Sequence, residues 1–408
     1  MNSQASHSPY ASKALILLLG ISVGVIVANL YYAQPLVGLI SQSLGLDPAL
    51  AGLIVMLTQV GYGLGVLFII PLGDIVENKK LILTMITIAF FAMLGLGLST
   101  ALIPYFAAAL LAGLGASSVQ IIVPYAAHLT PEATRGRVVG NLMSGLMIGI
   151  MLSRPTASIL TDLFSWHAVF YLSAALMLII GLILYRKLPE RKPHNPDLHY
   201  SKLLASMGAL FLRTPILRRR AIYQACMFGA FSLFWTTTPL LLAGPEFHLS
   251  QTAIALFALA GVAGAISAPL AGRFADKGWS RSGTAIAMIA AALSFLMTHI
   301  FPLGSTMSLA FLVLSAILLD AGITANLVLG QRAIFSLRAK YRSRLNGLYI
   351  ATIFVGGAIG STVGAWAFAH GGWSRTSMFG FLFPVIALIY FGTEWLTGFQ
   401  KPRRKVRS

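Results

Sequence analysis

Twelve mostly apolar runs, each about as long as a membrane-spanning helix, dominate the sequence and leave it few ways to fold. Because lipid offers no hydrogen-bond partners, chains of this kind pair their backbone groups within helices that pack together. We therefore predict an all-α membrane protein with twelve transmembrane helices. A soluble domain of 408 residues would not be 57% hydrophobic and only 10% charged. The predicted spans are 14–37, 49–72, 81–100, 104–127, 138–160, 168–185, 221–243, 251–272, 283–301, 306–331, 346–369 and 376–396.

The distribution of basic residues predicts the orientation of these spans. The chain has 29 Lys and Arg residues against 11 Asp and Glu residues, which gives a formal net charge of +18. In a soluble protein this charge would suggest a nucleic-acid partner, but almost all of the basic residues lie in alternate connections between spans. Loops rich in Lys and Arg face the cytoplasm, so we predict both termini there and no nucleic-acid partner. Arg375 lies on the other side, and Arg154 lies inside a span.

One long connection, residues 186–220, divides the chain into two parts. Its first half is rich in proline and charge, as in a linker. Apolar residues from Leu203 to Phe211 then recur at helical spacing and suggest a short helix on the inner membrane face. A disordered linker that touches lipid through its arginines is equally consistent with this segment. We predict an N-terminal six-helix bundle at 1–185, a cytoplasmic linker at 186–220, and a C-terminal six-helix bundle with a basic tail at 221–408.

The two parts repeat each other. A loop of the first part reads PLGDIVENKK and the corresponding loop of the second reads GRFADKGWSR, while RGRVVG is matched by SRLNG. Duplicated halves of this kind are typical of transporters whose binding site lies between them. The matched pairs are Asp74 with Asp276, Arg137 with Arg344, Gly140 with Gly347, and Trp166 with Trp373, and the last three pairs have the same separation along the chain.

Two charges inside predicted spans are the strongest functional signals. Asp320 lies near the middle of the run Thr306–Gln331, about 20 Å from one end and about 17 Å from the other at the helical rise. A carboxylate at that depth costs roughly 2.5–3.5 kcal/mol, so it is expected to face a partner or a water-filled cavity. Arg154 is the second such charge, and Gly145 and Gly149 before it allow a neighbouring helix to approach closely.

At several of these motifs the chain resembles the major facilitator superfamily, over nearly its whole length. GRFAD at 272–276 fits the family's G-x-L-x-D loop motif, whereas the first copy has Ile70 in place of the leading glycine. NLYYAQP, PLGD and LLDAGITANLVLGQ are similar to a branch of bacterial drug:proton antiporters. The resemblance implies two six-helix bundles in a bacterial inner membrane that export small organic compounds in exchange for protons by alternating access. One departure counts against proton antiport, because Ala109 stands where that branch commonly has an arginine.

The resemblance also implies a role for charges at the inner ends of the spans. Carboxylates beside basic loops can form ion pairs, and in this family such pairs are expected to close the inner side when the transporter faces outward. Ordinary solvated loop charges are the alternative. The predicted inner-gate pairs join Asp74 to Arg135 or Arg137, and Asp276 to Arg342 or Arg344.

In this fold the fifth helix faces the other bundle, which is expected to place Arg154 near Asp320. Our hypothesis is that the two charges pair, directly or through water, in one conformation, and that protonation of Asp320 frees the bundles to rock. The alternative is that each charge pairs locally, Arg154 with Asn29 or carbonyl groups and Asp320 with Thr324 or Asn326.

The resemblance assigns the lining of the central cavity to the first, fourth, seventh and tenth helices. Aromatic rings, a few amides and one carboxylate on these helices suit amphiphilic organic molecules, including cationic ones. Trp166, Trp373 and Glu394 lie near span ends and are predicted to lie at the membrane interface. The predicted substrate-cavity residues are Asn29, Tyr32, Gln34, Gln120, Tyr223, Trp235 and Asn326.

Other classes of function lack their motifs in this sequence. It has no G-x-x-x-x-G-K-[ST] loop, no metal-ligand spacing and no catalytic triad, and Cys226 is the single cysteine. We therefore predict no enzyme activity, no cofactor and no metal, with a small-molecule substrate, protons and the lipid bilayer as the partners of a monomer. Two alternatives stay open: a proton symporter or facilitator for a polar metabolite, and a non-transporting membrane receptor or scaffold.

Overall fold

In the computed structural model of the chain, the described residues are 12–192, 199–264, 267–337 and 341–396. They form helices joined by short turns, and no β-strand occurs among them. The helices of the first half are α1 (Lys13–Ala28), α2 (Val37–Ser43), α3 (Leu53–Leu64), α4 (Asn78–Leu98), α5 (Leu102–Ala116), α6 (Val119–His128), α7 (Glu132–Leu163) and α8 (Trp166–Lys187). Those that follow are α9 (Tyr200–Arg213), α10 (Pro215–Ala243), α11 (Gln251–Ala258), α12 (Ala260–Gly264), α13 (Ser267–Asp276), α14 (Ser280–Met297), α15 (Thr306–Phe335) and α16 (Arg342–Leu396).

Ten helical segments of the described chain are long and apolar enough to cross a membrane. Helix α1 is apolar but shorter, and α16 bends at Gly371 and Gly372, where the backbone leaves the helical conformation. Gly372 has a φ of 57°, which glycine adopts without steric cost. The bend falls between the eleventh and twelfth predicted spans. The prediction of an all-α protein with many apolar spans is confirmed, and the number twelve stays a prediction.

Helices α1 and α7 cross where both have glycine. A Cβ atom on Gly24 would lie 2.6 Å from the carbonyl oxygen of Gly145, and Gly149 packs on Gly24 in the same way. Small residues allow the backbones of membrane helices to approach this closely. The crossing fixes the rotation of α7, so that one of its faces points toward the second half.

Helix α10 is the central helix of the second half and is buried on all sides. Phe234 and Trp235 are 0% and 1% exposed, and the polar side chains of Gln224 and Thr236 are buried along with them. The helix packs mainly against α16 and α15. Gln224 bonds to the Ile323 carbonyl group and to Asn326 on α15, whereas the Thr236 hydroxyl has no hydrogen-bond partner among the described residues.

A helix lies within the predicted linker. Leu203 and Met207 of α9 are buried, and the Tyr200 hydroxyl donates a hydrogen bond to the carbonyl oxygen of Phe68 at 2.8 Å. The apolar face of α9 thus packs on the protein, whereas the sequence suggested contact with the membrane.

The two ends of the helical bundle differ in charge. We call one end the basic end; α4 begins there with Lys79 and Lys80 in its first turn, α7 with Arg135 and Arg137 near its start, and α16 at Arg342. The other end is called the opposite end.

At the opposite end the two halves touch. The Thr252 hydroxyl of α11 donates a hydrogen bond to the Asp162 carboxylate of α7. A Cβ atom on Gly38 of α2 would lie 2.9 Å from the side chain of Leu240 on α10. These contacts close the gap between the halves on that side.

The three residues predicted at the membrane interface are buried, so that prediction is wrong. Trp166 is 6% exposed, and Trp373 donates from its indole nitrogen to the Thr298 hydroxyl at 2.9 Å. Glu394 accepts a hydrogen bond from the Tyr223 hydroxyl at 2.9 Å. Polar partners inside the protein satisfy these groups in place of interfacial water.

Candidate functional site

A cavity of about 690 Å³ lies between the two halves. Arg154 and Asp320 line its deep end in the interior of the bundle, and Phe335 and Arg342 line it near the basic end. Because the halves touch at the opposite end, the cavity opens toward the basic end.

Aromatic rings from both halves form much of the cavity wall. The ring centroids of Tyr62 on α3 and Phe354 on α16 are 4.3 Å apart. Phe228 on α10 packs against Phe354 at 5.1 Å and stacks on Phe231 at 5.2 Å. The wall is therefore shared between the halves, and movement of one half against the other would change its shape.

Three methionines add a flexible apolar strip to this wall. Met143, Met147 and Met151 follow one another at four-residue spacing on α7, which places them on one face of the helix, and all three line the cavity. Methionine side chains are flexible and polarizable, so such a strip can adapt to apolar bodies of different shape.

Arg154 is buried at the deep end of the cavity with aromatic rings around it. Its Nε atom donates a hydrogen bond to Gln34 Oε1 at 2.8 Å, and its side chain is 3% exposed. The guanidinium carbon lies 4.3 Å from the ring centroid of Trp235, 5.0 Å from that of Phe231 and 5.3 Å from that of Tyr31. Cation–π attraction to these rings partly replaces the hydration that the guanidinium loses.

Trp235 links Arg154 to Asp320. Its indole Nε1 donates a hydrogen bond to Asp320 Oδ1 at 2.9 Å while its ring faces the guanidinium. A carboxylate on the indole N–H makes the ring more electron-rich, which favours a cation on its face. Arg154 belongs to the first half and the other two residues to the second, so this contact, the Arg154–Trp235–Asp320 contact, crosses between the halves.

Gly261 of α12 encloses Asp320 on another side. A Cβ atom at this position would lie 2.8 Å from Asp320 Oδ2 and 3.1 Å from Trp235 Cζ2. Any side chain here would therefore press on both residues at once.

The two buried charges meet through an aromatic ring, which neither sequence hypothesis foresaw. In the described structure Arg154 and Asp320 form no direct ion pair. The local partners suggested for Asp320, Thr324 and Asn326, do not bond to its carboxylate there, and Asn29 does not bond to Arg154.

The predicted cavity residues take three different positions. Gln120 lines the cavity and donates to the Tyr62 hydroxyl at 3.0 Å. Gln34 and Trp235 hold Arg154 and Asp320, as described above. The side chains of Asn29, Tyr32, Tyr223 and Asn326 are directed elsewhere: Asn29 bonds to Ser173 and Met177, Tyr32 lines a groove between α1 and α7, Tyr223 bonds to Glu394, and Asn326 bonds to Gln224.

The predicted inner-gate charges do not form the expected pairs among the described residues. Asp276 pairs with Arg332 at 2.5 Å, and both side chains are exposed, so this pair adds little stability. Asp74 lies within electrostatic reach of Arg344 on the other half but forms no ion pair with a described residue. Arg137 lines the groove between α1 and α7. Their role in a gate stays a prediction.

The hydrogen bond between Thr252 and Asp162 at the opposite end leads to a first prediction. Replacing Thr252 by Val removes the donor to Asp162, so we expect the closed opposite end to open more often, by roughly two- to fivefold for an exposed bond worth about 0.5–1 kcal/mol. Spin labels on cysteines at the exposed positions Leu163 and Leu256 would report the change as a larger population of long distances.

Thr87→Val is the matched control, because the Thr87 hydroxyl bonds only to a carbonyl group of its own helix. An unchanged distance distribution in Thr252→Val would mean that this bond does not hold the halves together.

Comparison with known proteins gives consistent results at the level of the family and the fold. The family model for the Major Facilitator Superfamily matches residues 17–331. Over 390 residues the chain is 39% identical to the uncharacterized transporter YgaY of Escherichia coli O157:H7, covering 96% of this chain and 97% of the relative. It is 31% identical over 365 residues to the probable transporter SCO4007 of Streptomyces coelicolor, covering 89% and 83%.

A crystal structure with the same fold is that of a bacterial homologue of the human lysosomal transporter Spinster, in an inward-facing and unoccupied conformation. Its TM-score to this chain is 0.73 at 16% identity, with 96% of this chain and 100% of that chain covered.

Proposed function

The chain belongs to the Major Facilitator Superfamily, and on this premise we propose that it exports small amphiphilic organic compounds by proton-coupled alternating access. It is a multi-pass membrane transporter and not an enzyme. The bacterial inner membrane as its location, export as its direction and protons as its coupling ion belong to the proposal.

We further propose that the chain crosses the membrane twelve times with both termini in the cytoplasm. The bend at Gly371 and Gly372 divides α16 into two helices, and α1 with α2 would make one further span. The excess of Lys and Arg in alternate connections supports a cytoplasmic position of the basic end. In this orientation the cavity opens to the cytoplasm.

One observation carries the proposal: the Arg154–Trp235–Asp320 contact joins the two halves at the deep end of a cavity that opens on one side. Alternating access requires that this contact break when the halves rock and the cavity opens on the other side. Charged side chains in a membrane interior cost free energy and are mostly found where they serve function. The position of this contact between the two halves suggests that its function is in their movement.

Protonation of Asp320 is the proposed coupling step. As a carboxylate, Asp320 accepts the Trp235 N–H and attracts Arg154; as a neutral acid it does both more weakly. A proton would thus lower the free energy needed to separate the halves. A neutral or cationic substrate that displaces the proton from this site would be exported in exchange for it.

The cavity wall supports amphiphilic substrates. Aromatic rings and the methionine strip would contact an apolar body, and the polar groups lie together at the deep end. A site with one apolar region and a few convergent polar groups is typical of small-molecule binding.

A second candidate is proton co-transport, in which proton and substrate move in the same direction. The observation that favours it is the Nη2 atom of Arg154, which is buried and has no hydrogen-bond partner among the described residues. An anionic substrate bound there would favour the protonated form of Asp320 in place of competing with the proton.

Proteoliposomes of known orientation, loaded with a pH-sensitive dye, would test the proposal. We expect some members of a panel of aromatic amines, amides and acids to cause a change in lumenal pH that is absent from protein-free liposomes. The sign of the change separates exchange from co-transport. Absence of any proton movement or flux across the panel, together with a protein that co-purifies with the chain, would favour a receptor or scaffold instead.

A further inference from the structure

The deep end of the cavity contains a buried cation with one edge that lacks a hydrogen-bond acceptor. Three aromatic rings lie within 5.3 Å of the Arg154 guanidinium carbon, and its Nε donates to Gln34. Its Nη2 atom is buried without a hydrogen-bond partner among the described residues, although the residue lines the cavity. A buried N–H group of a charged side chain without an acceptor is costly, so an acceptor from a ligand would be strongly favoured here.

A second donor lies on the side chain that holds Arg154. Gln34 uses Oε1 to accept from Arg154 and leaves Nε2 buried with no partner among the described residues. Gln34 itself is 0% exposed. Two unsatisfied donors on adjoining side chains indicate a site that lacks acceptor oxygens.

We infer that this end of the cavity binds the anionic group of an amphiphilic organic anion, with the Nη2 edge of Arg154 as donor and the aromatic and methionine wall around the apolar body. This inference rests on the second candidate of the proposed function, proton co-transport, and names its substrate class. Hydrogen bonds from a guanidinium to a carboxylate or sulfonate are stronger than those to a neutral acceptor. A cationic group in the same position would be repelled by Arg154.

The neighbouring carboxylate sets the pH dependence of this site. The charged or titratable groups that face Asp320 are Arg154 from α7 and Tyr31 from the turn after α1, whereas α10 and α12 present Trp235 and Gly261, which do not titrate. Ionised Asp320 repels an anion and offsets the charge of Arg154; protonated Asp320 does neither. The anion and the proton therefore bind together, and transport of the anion carries the proton in the same direction.

Matched aromatic probes would test this on the purified full-length protein without any transport step. Naphthalene-2-sulfonate is an anion at every pH of interest, and naphthalene-2-sulfonamide is a neutral compound of nearly the same shape. We expect isothermal titration calorimetry to show that the sulfonate binds about tenfold more tightly or better, as for a hydrogen bond to a charged group. The sulfonate should bind more tightly as the pH falls, and this dependence should be absent in Asp320→Asn.

Variants separate the contribution of the Arg154 charge to probe binding from the contribution of the cavity shape. Arg154→Gln should weaken sulfonate binding about tenfold and sulfonamide binding by a smaller factor, whereas Met147→Ala should weaken both probes alike. If Arg154→Gln does not fold, Arg154→Met, which removes the charge and keeps a long unbranched side chain, serves in its place with the same expected result.

Equal affinity for the two probes, or no sulfonate binding at millimolar concentration, would overturn the inference. A result of tight sulfonate binding with no proton-coupled flux in proteoliposomes would instead leave the anion site in place and refute the proposed transport function. Flux of neutral compounds without preference for the sulfonate would support the transport function and refute the anion site.

Discussion

Asp320→Asn is expected to abolish proton coupling while the protein still folds and still exchanges substrate. Asparagine has almost the same shape, and its amide oxygen can still accept the Trp235 N–H, so the packing around position 320 should be kept. The amide cannot bind or release a proton, so a pH gradient can no longer bias the two conformations. In proteoliposomes, a substrate that the unmodified protein accumulates against its gradient should reach a concentration ratio of about 1, while exchange of labelled for unlabelled substrate continues.

Two controls make this result specific. Asp276→Asn removes a carboxylate that is exposed at the basic end and paired with Arg332, and it should leave coupling unchanged. Asp320→Glu keeps the titrating group and should keep part of the coupling, although the longer side chain would meet Gly261 and Trp235 in a different position. Full accumulation by Asp320→Asn would show that the proton binds elsewhere, and the proposed coupling step would be refuted.

The two charges inside the spans could be found from the sequence because a charge in an apolar run is rare and costly. That argument located Asp320 and Arg154, and the family resemblance added the expectation that they lie near the boundary between the halves. It could not identify Trp235 as the residue between them. A tryptophan in an apolar helix is compatible with core packing, lipid contact or substrate contact, and its role depends on which way its ring turns.

The faces of the buried helices were harder to predict. An amphipathic helix shows its buried side through the spacing of its apolar residues, but α10 carries polar and apolar residues all round its axis and is buried on all sides. Tyr223 and Gln224 are neighbours on it, yet only Gln224 lines the cavity, and Tyr223 bonds to Glu394. For the same reason Asn29 of the first span was predicted in the cavity but packs against α8.

Charge pairs at the basic end depend on how far each helix extends, which the sequence leaves uncertain by several residues. Helix α15 continues beyond the predicted end of its span as far as Phe335, and this extension brings Arg332 beside Asp276. The prediction considered Arg342 and Arg344, which lie in the following segment. Arg344 instead donates a hydrogen bond to Ser206 of α9.

Gly261→Val is expected to impair coupled transport strongly although the residue has no side chain to offer a substrate. The first atom of any side chain would lie 2.8 Å from Asp320 Oδ2 and 3.1 Å from the Trp235 ring, so both groups must move. Displacing them would lengthen the hydrogen bond between Trp235 and Asp320 and turn the ring away from Arg154. Overpacking of this kind costs about 1–3 kcal/mol, so we expect proton-coupled transport to fall by about 5- to 150-fold.

Gly392→Val on α16 is the matched control, since a side chain at Gly392 would meet no atom within 4 Å. Both variants add the same groups to a helix within a predicted span, so a general effect of valine on membrane insertion would appear in both. Expression and thermal stability in detergent should be close to normal for Gly392→Val, and Gly261→Val should lose coupled flux by more than any loss of folded protein explains. Equal flux in the two variants would mean that transport tolerates a displaced Trp235–Asp320 pair. The Arg154–Trp235–Asp320 contact would then only contribute to packing, and it would not link the proton to the substrate.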